Sequence, residues 1–163
     1  MKILRLGKVA VVATIAALAS VVAFGNITDY GSNFAFVRGV MSMDTIFPDS
    51  RIAWRAVTSP AWHHAAYLLI ILTELAVACF CWTGAVAMAR CMGADADGFH
   101  QSKRIAIAGL TLGFLLWQFG FAVVAAEWFG MWMSEQWNGQ ESAFRFAMVI
   151  LGALVFVGMR DGE

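Results

Sequence analysis

One carboxylate in an oily run sets the first chemical question. The stretch YLLIILTELAVACFCW, residues 67–82, carries Glu74 near its middle. An intramembrane acid is either a hydrogen-bonded structural group or the working part of a proton-handling or ligand-binding site. A second oily run, LGFLLWQFGF (112–121), carries Gln118. If the two runs pack antiparallel, Glu74 and Gln118 each lie about 4–5 Å outward of their helix midpoints, at nearly one depth. A Gln–Glu hydrogen bond there is worth about 0.6–2 kcal/mol. It also lets Glu74 stay neutral, since burial penalises the charged form. His63 and His64 stand at the outer mouth of the same helix. His63 shares a helix face with Glu74 but lies about 16 Å away along the axis, so a relay between them needs intermediaries.

Other chemistries find little support. Asp29, Glu127 and Glu135 fall on the histidine side, but nothing in their spacing suits a metal. No histidine lies inside a crossing, so haem is not expected. Cys79, Cys81 and Cys91 have neither disulfide nor zinc spacing and are read as reduced packing residues. There is no nucleophile elbow, HExxH or Gly-rich phosphate loop. The expectation is a protein without cofactor and without enzymatic activity.

The elements that must position these residues follow from composition. Hydrophobic residues make up 61% of the 163-residue chain and charged residues 13%, against about 45–50% and 25% in soluble domains. The chain is built for lipid. Eleven basic and eleven acidic residues cancel, which argues against a nucleic-acid partner. Four apolar segments, about 9–25, 65–89, 105–126 and 144–159, predict four crossings in one domain. The first also has the basic start and ALA of a signal peptide, but its apolar run continues past that site, so a spanning helix is preferred. The last is the weakest, with Arg145 at its start. Residues 26–64 and 127–143 form external loops and 90–104 a cytoplasmic one. Lys2, Arg5, Lys8, Arg90, Lys103, Arg104 and Arg160 fall on one side, against Arg38, Arg51, Arg55 and Arg145 on the other. That bias places both termini in the cytoplasm.

Within 26–64, Phe36, Val40 and Met43 recur at helical spacing, with Ser32 or Asn33 as a cap and Pro48 beyond the end. This predicts a short external helix lying on the outer membrane face or packed over the bundle. Trp128, Trp132 and Trp137 suit the headgroup level. Gly109, Gly113 and Gly120 form a small-residue face on the third helix, and Cys79, Thr83 and Ala87 a similar stripe on the second.

The stretches NFAFVRGVMSMDTIFPDSRIAWRA (33–56), YLLIILTE (67–74) and MWMSEQWNGQESAFR (131–145) resemble a bacterial family of predicted small integral membrane proteins of the domain-of-unknown-function class. The resemblance spans nearly the whole chain and implies a four-helix inner-membrane protein. It brings no activity, cofactor or catalytic residue. Its specific motifs fall in the external loops, which directs attention to Asp44, Trp54, Arg55, Trp137, Asn138, Gln140 and Arg145. Docked loops would cap the bundle mouth, with Arg55 and Arg145 pairing to Asp44, Glu141 or a partner's carboxylates. The expected fold is an all-α integral membrane four-helix bundle with an extracytoplasmic loop and short-helix cap. The expected function is a non-catalytic accessory or interaction subunit of an envelope assembly in the bacterial inner membrane. Its partners are the lipid bilayer and a membrane protein or a second copy of the chain. The alternative is a small transporter or proton-coupled binder using Glu74.

Overall fold

A long uninterrupted apolar sequence free of proline dictates the first element. In the computed structural model, which describes residues 2–161, α1 spans Lys2–Thr28. Asp29 leaves helical geometry (φ −116°, ψ 54°) and starts α2, Tyr30–Ser42. The expected caps Ser32 and Asn33 therefore lie inside the helix, one turn further on. The cause is that the chain bends at Asp29 rather than unwinding into a loop. Met43, in the left-handed region (φ 52°), ends α2 well before Pro48.

α3 runs Pro60–Arg90, with proline in the first turn, where its missing N–H costs nothing. Asp95 caps the short α4 (Ala96–Ser102) by accepting from the Gly98 N–H at 2.8 Å. α5 (Arg104–Leu115) continues without a break into a π-helical segment, Leu116–Trp128. α6, Gln140–Gly158, completes the fold, and the described residues contain no strand. Four helices, Lys2–Thr28, Pro60–Arg90, Arg104–Trp128 and Gln140–Gly158, are long and apolar enough to cross a membrane. The fourth is the least apolar, with a mean hydropathy of 1.7 against 2.1 for the first two.

The architecture is an all-α bundle in which α3 packs on α1 and α5, and α6 packs on α5 and the π segment. Val12, Ile15, Val77, Leu110, Ile150 and Val157 form its core. The α3–α5 contact is close because small residues alternate across it. A Cβ on Gly84 would lie 2.5 Å from the Ala106 nitrogen, and one on Gly109 2.9 Å from Cys81 Sγ. The Gly109–Gly113 face is thus consumed inside the bundle. The stripe expected at Cys79, Thr83 and Ala87 is not the packing face: Cys79 and Thr83 are exposed, and the buried Cys81 and Gly84 make the contact. The two stripes lie on nearly opposite sides of α3, since neighbours two apart such as Cys79 and Cys81 point about 200° apart, and they are equally small, so composition alone could not choose.

Charge gathers at the end that holds both described chain ends and the 90–104 connector. Arg5 donates to the carbonyls of Met92 (3.1 Å) and Ala94 (2.6 Å), with its guanidinium 4.7 Å from the Phe99 ring centre. Lys8 and Lys103 are fully buried. Both donate to the Met159 carbonyl and both pair with the Asp161 carboxylate. Burial pushes the Asp161 carboxyl up, but the hydrogen bonds and charges of Lys103 and Lys8 outweigh it and hold it below the usual carboxylate range.

At the other end the two long loops dock on each other. Thr45 and Ser134 share a hydrogen bond at 2.7 Å. The Trp137 ring meets Phe36 edge-on and lies against Gly39, where a Cβ would come within 2.3 Å of its Nε1. Gly130, at φ 66°, lets the chain turn beneath Ile52.

Candidate binding cavity at Glu74

Glu74 is buried on the inner face of α3, in line with His63, Tyr67 and Ile71. Its partner is Asn26, near the end of α1, whose Nδ2 donates to both carboxylate oxygens at 2.9 and 2.8 Å. The Asn26 carbonyl lies in the last turn of α1, where backbone acceptors lack helical donors. The Tyr67 hydroxyl supplies one, at 2.9 Å. Asn26 thus ties the end of α1 to two residues of α3.

The expected Glu74–Gln118 pair does not form. The α3–α5 register that sets Gly84 against Ala106 and Val77 against Gly113 carries Glu74 opposite Leu116. Gln118 lies only two residues further, so its depth is nearly right, but it turns to a different side. It lines a separate outer groove with Phe114, Gln140 and Glu141.

A cavity of about 440 Å³ ends on Glu74. Asn26, Tyr67 and Glu74 form its polar floor, and Trp117, Phe121 and Phe146 its aromatic wall. Trp117 packs on Phe121 and Phe146 with ring centres 4.7 and 4.5 Å apart. Asn33, Gln136, Asn138 and Ser142, from the cap side, supply uncharged polar lining. Past Glu74 only a void of about 20 Å³ remains, walled by Ile15, Val77, Leu116 and Ile150 among others. That is room for about one water.

The remaining candidates separate into two groups. Asn138 joins the cavity, and its Oδ1 accepts from the Gln140 N–H at 3.1 Å, covering the first turn of α6. The others lie outside it. His63 donates from Nε2 to the Val57 carbonyl at 2.6 Å, which fixes the loop before α3, and its Nδ1 has no partner among the described residues. His64 is exposed, bonded to the Tyr30 hydroxyl at 2.8 Å and stacked on Phe34. No hydrogen bond links His63 or His64 to Glu74 among the described residues. Arg55 pairs with no carboxylate there: it donates to the Trp128 carbonyl at 3.3 Å, with Trp128 and the exposed Trp54 around its guanidinium. Arg145 bonds Glu141 at 2.7 Å on an exposed surface, where such a pair contributes little. Asp44 is exposed and takes part in none of the ion pairs. Trp137 serves docking, as described above.

Sequence reasoning missed Asn26, Tyr67 and Trp117 at this site. The available signal was the amide in AFGNITD, set just past an apolar run. The described residues hold no group of three or more His, Cys, Asp or Glu side chains able to bind a metal.

No curated protein and no solved structure matches the chain. A family model described as predicted small integral membrane protein (DUF2165) matches residues 4–160, nearly all of it. With four helices of spanning length and an oily exterior already in view, the chain belongs to this family of integral membrane proteins.

Proposed function

We propose that this is a non-catalytic, multi-pass protein of the bacterial inner membrane that binds a small ligand at Glu74. The carrying observation is the cavity of about 440 Å³, polar at its cap side and ending on a buried carboxylate. Its size falls within the range of small-molecule sites. The closed packing beyond Glu74 favours a binder, or the resting state of a small transporter, over an open channel. The excess of basic residues at the end holding both described chain ends supports a cytoplasmic position for that end, so the cavity faces outward. Treating the reconstituted chain with a water-soluble carbodiimide and glycinamide tests the reading. Peptide mapping is expected to find Glu74 modified without denaturant. A Glu74 that reacts only after unfolding overturns it.

A second reading, an accessory subunit of an envelope assembly, draws on the aromatic surface of the cap. Trp54 and Trp62 are 74% and 65% exposed, and Phe47, Trp128 and Trp132 are exposed beside them. Purification in mild detergent is expected to retain a stoichiometric partner under this reading. Recovery of the chain alone counts against it.

A further inference from the structure

We infer that the ligand is an organic ammonium ion; the inference rests on the Glu74 cavity being the binding site and assigns the charge its occupant carries. Among the described residues, Glu74 is the one carboxylate lining the cavity, and no lysine, arginine or histidine lines it. Its protein partner is a neutral amide, and it takes part in none of the three ion pairs among the described residues. The buried cations Arg5, Lys8 and Lys103 stand at the far end of the bundle, already bound to carbonyls and Asp161. An ionised carboxylate in this place is short of one positive charge.

The wall beside it suits a particular kind of cation. Trp117, Phe121 and Phe146 line the same space, and Phe36 closes another side. Aromatic faces attract ammonium groups electrostatically, most strongly where water is excluded. They give nothing comparable to a small hydrated metal ion, which demands oxygen ligands. An anion is disfavoured, because it would lie against the carboxylate. The Asn33, Gln136, Asn138 and Ser142 side chains add hydrogen-bonding groups without like charge to repel the guest. The occupant that meets all of these surfaces carries one positive nitrogen against Glu74 and a carbon skeleton against the rings.

Choline and its uncharged carbon isostere, dimethylbutanol, are suitable probes because they differ in charge and scarcely in shape. With the full chain in lipid nanodiscs, calorimetry is expected to show choline binding at least about tenfold more tightly than the isostere. Choline is expected to slow carbodiimide modification of Glu74, and the isostere to leave it unchanged. Glu74→Gln is expected to abolish the preference for the cation. Trp117→Phe keeps a ring in the stack with Phe121 and Phe146 and presents a weaker π-face, so it is expected to weaken choline severalfold without changing the thermal midpoint by more than a few degrees. It carries the test if Glu74→Gln does not fold. Equal binding and equal protection by the two probes overturn the ammonium assignment while leaving the cavity a ligand site. A cation preference that survives Glu74→Gln also overturns it. A Glu74 inert to carbodiimide in the folded chain removes the cavity reading itself.

Discussion

Asp161→Asn is expected to destabilise the bundle by about 3–5 kcal/mol, the usual cost of removing one partner from a buried ion pair. Lys8 and Lys103 are fully buried and share this carboxylate. The asparagine keeps the shape and leaves two ammonium groups with the Met159 carbonyl between them. The thermal midpoint of the detergent-solubilised chain measures the loss. Replacing all three charges together, by Lys8→Met, Lys103→Met and Asp161→Leu, is expected to recover most of it, since apolar substitutes for a buried charged cluster are often neutral. A mild Asp161→Asn with a harmful triple replacement is the opposite pattern and would refute the account. The pH dependence has a definite sign. The Asp161 carboxyl titrates below its ordinary value of 3.8 in the fold. Its stabilisation is therefore complete above that value and is lost as pH falls through the folded one. The thermal midpoint is expected to show no loss from this group between neutral pH and about pH 5.

Gly84→Val comes second in size. A Cβ there would sit 2.5 Å from the Ala106 nitrogen and 2.6 Å from its Cα, and backbone cannot step aside as a flexible side chain can. α3 and α5 must separate, at a cost of about 1–3 kcal/mol or more. Gly152→Ala supplies the contrast. Nothing lies within 4 Å of the added carbon, and alanine favours helix over glycine by about 0.5–1 kcal/mol. The first variant is expected to lower the thermal midpoint and the second to hold or raise it. Equal behaviour of the two variants would mean that the helices do not meet at Gly84.

Much of the bundle is legible in the sequence because lipid exposure makes each long helix apolar nearly all round. The same uniformity hides which face turns inward. Cys79 and Cys81 look alike in an oily run, yet one is exposed and the other buried. Depth is easier to read than direction. Gln118 lies within two residues of the position opposite Glu74 but faces elsewhere, and Asn26 was hidden by assigning it to a loop. Lys8 and Lys103 read only as basic residues of the cytoplasmic side, since no local pattern announces that a distant Asp161 returns to meet them. The cap residues were found by motif, while their contacts, such as Arg55 between tryptophans, depend on two loops far apart in the chain.

The floor beneath Glu74 has a consequence for traffic. Ile15, Val77 and Ile150 belong both to the wall of the small void and to the hydrophobic core. Under the proposed binding reading, a guest arriving from the cap would meet a cul-de-sac and leave by the door it entered. Passage to the opposite compartment requires α1, α3 and α6 to part along that seam, so any vectorial movement is tied to reopening the core itself.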